Sequence, residues 1–327
     1  EKNFDKHLTS IFLMLDTKDL LSLDISVKKN TDSSKNLNEE IEYLIKDSKN
    51  LIEKNNQSKK NIHIIVSKFI IDEKEYFDLP ENILDFKSII LDLKFILIPS
   101  ILLNKITKMF KNIQLSISNF FCSTYVRSFN YSQSFENFEY KFFLDIGLKK
   151  SCLSIYKSKN LIFLDTIPIG GNHITNDISK VMNLDINSSE ILKRSFNKSN
   201  ATFSNESDYN LKKNKSDAEF NDLLQKVIHA RIEEIINLSF KNCNLLNQEI
   251  INNNSILIFI GEGSKVLNKN SIYLNEKFNL FKEMNFFDET PDRICNSAFV
   301  YNETKNNAEV VVVPKKNRRY GMFEKLF

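Results

Sequence analysis

Three short loops of this 327-residue chain carry the residue types that can hold a phosphate and its metal ion. Each loop follows an apolar run of strand length, and glycine there lets backbone amides approach a phosphate. The carboxylate of Asp145 at a strand end can hold the water shell of Mg²⁺. The candidate nucleotide-binding residues are Asp145, Gly147, Lys149, Gly170, Gly171, Asn172, Gly261, Gly263 and Ser264. From the residues alone a structural interpretation is preferred, in which Asp145 caps a turn and Gly170-Gly171 is a tight strand–helix connection.

Alternating strands and helices must position these loops. Buried apolar runs predict strands, and apolar residues at helical spacing predict helices. The strands are predicted at 10–16, 21–28 and 62–72, as a pair that ends at 97, as three runs within 142–171, and at 255–260. The helices are predicted at 41–52, 102–113, 119–128, 172–182 and 223–243. The polar stretch 197–221 is predicted to be a loop or weak edge strands. Buried runs that alternate with helices indicate an α/β protein.

The composition excludes several classes of protein. Hydrophobic residues make up 42% of the chain, and its net charge of +3 is too small to indicate a nucleic-acid partner. The four cysteines are scattered, with neither metal-ligand nor disulfide spacing, which predicts reduced thiols, no metal site and a cytosolic protein. The longest apolar run, 95–103, is too short to span a membrane.

The string IPIGGNHITNDI at 167–178, just after the Asp-Ile-Gly strand, resembles the same place in the bacterial cell-division family FtsA. The segment 62–72 and the end of the chain also resemble that family. The resemblance implies an actin-like (ribonuclease-H-like) two-lobed α/β fold with an inserted small α/β subdomain. It further implies that the first strands of the first lobe are lacking.

The resemblance also implies a division of the chain into domains. A remnant of the first lobe, the inserted subdomain, the rest of the first lobe, the second lobe and a linker with a tail are expected in that order. Their ranges are 1–17, 18–98, 99–160, 161–301 and 302–327, with a partner-binding subdomain at about 190–250 inside the second lobe.

Members of the FtsA family bind ATP with Mg²⁺ between the lobes, and the resemblance gives Glu233 and Glu234 an alternative role in which they face the ribose. This chain departs from the family after Gly147, where Leu148 obstructs the approach of a phosphate and Lys149 supplies a flexible charge instead of glycine amides. Nucleotide binding is therefore expected to be weak or lost, and catalytic activity is not expected.

The long helix of the second lobe grips the C-terminal peptide of FtsZ in this family, and Arg231 stands where the family pairs an Arg with an acid of that peptide. Alternatively, Arg231 is a solvent-facing residue paired with Glu234 at i+3. The resemblance also implies that the small subdomain binds other division proteins and that the chain self-associates.

The basic, aromatic tail at 315–327 has the composition of an interfacial helix. Its candidate membrane residues are Arg318, Arg319, Met322, Phe323, Leu326 and Phe327. Burial of the apolar side chains and attraction to anionic lipid exceed the cost of ordering the helix only slightly, so one tail binds the membrane weakly and reversibly. Several tails on one polymer bind tightly because they raise one another's effective concentration at the membrane. The alternative is a frayed basic end, because two turns are too short to be helical alone.

The resemblance thus implies a scaffold that tethers FtsZ filaments to the cytoplasmic face of the inner membrane at the division site. Three other functions stay open. A pilus-assembly actin-like protein would be expected to lack the tail, and an active ATPase or small-molecule kinase of this fold would need intact phosphate loops. The third is a degenerate relative that keeps the shape without nucleotide control.

Overall fold

The computed structural model describes residues 8–31, 36–80, 83, 85–196, 217–243, 254–267 and 280–304. The chain divides into two compact units. One unit comprises Glu1–Glu136, Tyr156–Ile162 and Thr290–Phe327, and the other comprises Asn137–Ile155 and Phe163–Glu289. The domain boundaries expected from the sequence stay predictions.

Within the first unit, a four-stranded antiparallel sheet packs one face against a helix. The strands are β2 (Leu21–Asn30), β3 (Lys59–Ile71), β4 (Lys74–Tyr76) and β5 (Ser88–Pro99), in the order β2-β5-β3-β4. Helix α1 (Leu37–Asn55) begins at Asn36, whose side chain accepts the N–H of Asn38 at 3.0 Å. Its apolar stripe, which includes Ile41 and Ile45, is fully buried with alternate residues of β3 and β5.

The first unit also contains a pair of parallel strands, β1 (Ser10–Leu15) and β6 (Ser116–Cys122). Helices α2 (Ser100–Asn112) and α3 (Ser123–Ser132) flank β6 along the chain, and α7 (Pro291–Thr304) packs on α3. The prediction of a helix at 119–128 is wrong in its first half. Phe121 and Cys122 are buried in β6, and pairing with β1 overrides the weak helical period of that segment.

A buried histidine connects three of these elements in the first unit. Nε2 of His63 on β3 accepts the backbone N–H of Cys122 at 2.9 Å, and Nδ1 lies 3.1 Å from the hydroxyl of Tyr301 on α7. Because Nε2 accepts, the ring is the neutral tautomer that carries its proton on Nδ1. Phe121 and Tyr125 pack their rings against the imidazole. His63 is therefore a structural core residue.

A five-stranded sheet carries the loops at which the candidate site lies. Its order is β11-β10-β7-β8-β9, and β10 runs parallel to both β7 and β11. The strands are β7 (Tyr140–Ile146), β8 (Ser151–Lys157), β9 (Asn160–Ile167), β10 (Ser255–Ile260) and β11 (Glu283–Phe286). Every residue of β7 and β10 is buried, as expected for central strands covered on both faces.

Three helices complete the second unit: α4 (Gly171–Met182), α5 (Ile186–Ser195) and α6 (Asp217–Ser239). Helix α4 packs against both α5 and α6. Helix α6 starts six residues before the predicted Leu223, so the predicted loop is wrong at 217–221, and 197–216 lie outside the described residues. Within the described ranges, the helices are all too short or too polar to cross a bilayer.

Candidate functional site

Five of the six glycines in the chain converge on one end of the five-stranded sheet. The turn after β7 contains Gly147, the start of α4 contains Gly170 and Gly171, and the turn after β10 contains Gly261 and Gly263. A Cβ on Gly170 would lie 2.5 Å from the carbonyl oxygen of Gly147, so only glycine fits at that position. The three loops predicted from the sequence therefore meet, backbone against backbone.

Gly261 shapes the turn after β10. Its φ of +85° lies in the left-handed region, and an added Cβ would meet Oδ1 of the buried Asp145 at 2.3 Å. Its carbonyl oxygen accepts both the N–H and the hydroxyl of Ser264, at 3.0 and 2.7 Å, and its own N–H donates to Glu289 at 2.7 Å. The structure thus brings Asp145 at the end of β7 together with Gly261 and Ser264 of the turn after β10, as predicted.

The first N–H groups of α4 are already bound by the neighbouring turn. The N–H of Gly171 donates to the carbonyl of Gly147, and that of Asn172 to the carbonyl of Leu148, both at 2.8 Å. The N–H of His173 donates to the carbonyl of Gly170 at 2.9 Å. A helix N-terminus binds anions through such N–H groups when they are free. Here the protein's own carbonyls use them.

A cavity of about 350 Å³ opens beside the glycine loops. Its wall includes two basic residues of α5, Lys193 and Arg194, that are not among the site residues predicted from the sequence. The full lining is Gly147, Leu148, Gly171, Glu190, Lys193, Arg194, Glu262, Gly263, Lys265 and Val266. The buried ammonium of Lys193 donates to the carbonyl of Gly171 at 3.1 Å and to the hydroxyl of Thr175 at 2.8 Å. This lysine therefore ties α5 to the start of α4.

Glu190 is the acid that balances these charges. Its carboxylate accepts from Thr175 and Lys193, each at 2.6 Å, and from Arg194 at 2.7 Å. Desolvation, the largest contribution, raises the pKa of Glu190, but the hydrogen bonds from Lys193, Thr175 and Arg194 together outweigh it and lower that pKa to about 2. Glu190 is therefore ionised at neutral pH.

These residues do not fit ATP with Mg²⁺ along its whole length. Lys193, Arg194 and Glu190 could hold a small polar ligand in the cavity. A polyphosphate, however, would meet Leu148, which lines the cavity and is 63% exposed, and helix-end donors that are already bound. Lys149 is exposed and does not line the cavity. Among the residues that the structure describes, no three His, Cys, Asp or Glu side chains are grouped to hold a metal ion.

A second concavity, of about 440 Å³, lies between α4 and α6, and we call it the α4–α6 groove. Its lining residues are Asp177, Lys180, Val181, Lys226, Val227, Ala230, Arg231 and Glu234. Arg231 donates from Nε to Asp177 at 2.6 Å and from Nη2 to the other oxygen of Asp177 at 3.0 Å. Its Nη1 donates to Glu234, so the predicted i+3 pair is confirmed. The hydrogen bonds that Arg231 donates to Asp177 raise the pKa of Arg231.

Glu234 lies in the α4–α6 groove and does not line the cavity beside the glycine loops, so the structure does not bring it together with the other predicted nucleotide residues. The acid that an α-helix contributes to that cavity is Glu190 of α5. Arg318, Arg319, Met322, Phe323, Leu326 and Phe327 lie outside the described residues.

Comparison with known proteins gives one family match and a set of similar folds. The family model of the cell division protein FtsA matches residues 142–275. No curated protein matches the chain. Among solved structures, the PilM–PilN complex of type IV pilus biogenesis gives a TM-score of 0.52 at 12% identity, covering 90% of this chain and 76% of that one. The chain has an actin-like fold.

A second solved structure, MreB5 of Spiroplasma citri bound to ADP, gives a TM-score of 0.45 at 14% identity and covers 64% of this chain and 68% of that one. The predicted actin-like α/β fold class is confirmed. The FtsA match covers the turn after β7, both helices of the α4–α6 groove and the turn after β10. At 12% identity, the likeness to PilM–PilN concerns the fold alone.

Proposed function

We propose that this actin-like protein is a non-catalytic adaptor whose α4–α6 groove binds a short acidic, apolar peptide of a partner. The FtsA match over this region supports the C-terminal peptide of FtsZ as that peptide. In this proposal, the tail at 315–327 holds FtsZ filaments at the cytoplasmic face of the inner membrane at the division site. Self-association, and binding of other division proteins by the small subdomain, belong to the same proposal.

The observation that carries the proposal is the chemistry of the α4–α6 groove. Its lining includes the apolar side chains of Val181, Val227 and Ala230, and Val181 is 53% exposed. Lys180 is exposed and has no ion pair within the described part of the chain. An extended peptide could bury its apolar side chains against these residues and pair a carboxylate with Lys180. Charged groups of a peptide that pair with the groove speed its association and fix the orientation in which the peptide binds.

The occupied donors of α4 favour an adaptor over an ATPase. Phosphoryl transfer needs a phosphate cradle, a metal and a positioned water together. Because the carbonyls of Gly147 and Leu148 bind the first N–H groups of α4, that part of a cradle is closed. Nucleotide binding is therefore not required by the proposed function.

Fluorescence anisotropy with a labelled FtsZ C-terminal peptide tests the proposal. Lys180→Glu should weaken binding by about tenfold, since it replaces an attraction with a repulsion at the groove. Lys46→Glu is the matched control, because it makes the same change on the exposed side of α1 in the first unit and should leave the affinity unchanged. An equal effect of both variants, or the absence of any binding, would refute peptide recognition by this groove.

Flotation with liposomes tests the membrane part of the proposal. Vesicles containing anionic lipid should carry the full chain upward and should carry a chain without residues 315–327 far less. Equal flotation of the two forms would exclude the tail as the tether.

A second candidate is a PilM-like adaptor of pilus assembly, which the fold likeness to the PilM–PilN complex favours over most of the chain. The same anisotropy experiment with labelled PilN separates the two candidates. Saturable binding of PilN without binding of the FtsZ peptide would select the pilus function.

A further inference from the structure

The guanidinium of Arg231 is engaged on all three of its nitrogens inside the protein. The carboxylate of Asp177 on α4 accepts hydrogen bonds from Nε and Nη2 in a bidentate arrangement, and the carboxylate of Glu234 accepts one from Nη1. The pair is only partly exposed, with 25% of the Arg231 side chain and 26% of the Asp177 side chain accessible. Arg231 therefore lines the groove but is not available to a partner as it stands.

Asp177 presents to Arg231 the same group that an acidic peptide would present. A partner carboxylate can reach Nε and Nη2 of Arg231 only if Asp177 leaves, and the displaced Asp177 then repels the newcomer across the groove. Lys180, one turn further along α4, needs no such displacement. Two of the three cations that line the groove, Lys180 and Arg231, thus differ in what a partner must do to pair with them.

We propose that Asp177 is an internal competitor that sets the specificity of the α4–α6 groove. A peptide with one acid pairs with Lys180 and leaves the Asp177–Arg231 pair closed. A peptide with two acids uses the second to displace Asp177 from Arg231. The groove then selects doubly acidic segments over singly acidic ones, and this inference rests on the proposed peptide-binding function.

Removal of the Asp177 charge tests this role. Asp177→Asn keeps the shape of the side chain and gives up the competing charge, so the affinity for a labelled peptide with two acids should rise by about tenfold. Asp222→Asn is the matched control, since Asp222 on α6 pairs with the lining residue Lys226 at 2.7 Å but does not contact Arg231. General electrostatics would raise the affinity equally in both variants, whereas competition for Arg231 raises it mainly in Asp177→Asn.

A double-mutant cycle locates the effect at Arg231. In an Arg231→Gln background, Asp177→Asn should raise the affinity no more than Asp222→Asn does. Circular dichroism checks the fold of each variant, and Asp177→Ser gives a second way to remove the carboxylate. A peptide with a single acid serves as the comparison ligand, because its affinity should rise little with Asp177→Asn or with Asp177→Ser.

The outcomes separate this inference from the function on which it rests. Wild-type binding with a gain confined to Asp177→Asn supports both. Wild-type binding with equal effects of Asp177→Asn and Asp222→Asn, or with weaker binding by Asp177→Asn and Asp177→Ser, overturns the competitor role and leaves peptide binding intact. No binding of any acidic peptide by the wild type or by Asp177→Asn overturns the proposed function, and the inference with it.

Discussion

Replacing Glu190 by Gln should make the second unit less stable at neutral pH. The folded-state pKa of Glu190 is about 2, below the ordinary value of 4.5, so the ionised carboxylate stabilises the fold above about pH 4.5. That contribution is lost as the pH falls from 4.5 towards 2. At about 1.36 kcal/mol per pH unit, the upper limit of this contribution is about 3 kcal/mol. Since 29% of the side chain is exposed, solvent screening reduces the expected loss to about 1–2 kcal/mol.

Urea unfolding followed by circular dichroism measures this loss, and hydrogen exchange of residues 171–195 assigns it to α4 and α5. The difference in unfolding free energy between wild type and Glu190→Gln should be largest at pH 7 and should shrink below pH 4.5. Glu262→Gln is the control, because Glu262 is 79% exposed and its pair with Lys265 should contribute less than about 0.5 kcal/mol. A difference that is independent of pH, or a Glu262→Gln effect of the same size, would refute the reasoning.

Two further substitutions, each with a comparison variant, test the packing. Gly261→Ala should destabilise the second unit by about 3 kcal/mol or more, since it combines a strained φ with a clash at Asp145. Gly171→Ala, whose Cβ would make only ordinary contacts, should be tolerated; equal urea midpoints for the two variants would contradict this. His63→Leu should cost about 1–3 kcal/mol, because the buried N–H of Cys122 loses its acceptor. His63→Gln should recover part of that loss in thermal melts, and no difference between them would argue against the hydrogen bond.

The central strands of the second unit could be predicted because their sequences leave few alternatives. The apolar runs that became β7 and β10 are too short for helices, and they are buried on both faces. The glycine loops were predictable for the same reason, since each one follows such a run. Helix α1 was recognisable from its apolar period and its first-turn acids, Glu39 and Glu40.

Residues whose role depends on tertiary contacts could not be predicted in this way. The strand β6 follows from pairing with β1, which is more than a hundred residues away in sequence, and local propensity misassigned its second half. Glu190, Lys193 and Arg194 stand at i, i+3 and i+4 on α5, a charged spacing that also describes an ordinary solvated helix face. Only the packing of α5 on α4 shows that Lys193 is buried.

The prediction that Glu234 faces the ribose depends on the helix that carries it and takes no account of its position around that helix. The side chain lies in the same groove as Arg231, three residues away. A helix carries residues three apart on one side, so the prediction that Arg231 pairs with Glu234 already implied that both face the same groove.

The convergence of the glycines has a consequence for how relatives of this chain can be found. The sequence is rich in Asn, Lys, Ile and Phe, and most surface positions could exchange among such residues without structural cost. At Gly170, Gly261 and Gly263, backbone carbonyl oxygens occupy the space that a side chain would need, so these positions do not tolerate such substitutions. A sequence search for these three glycines in this order and at these separations should therefore detect distant relatives that overall sequence identity would miss.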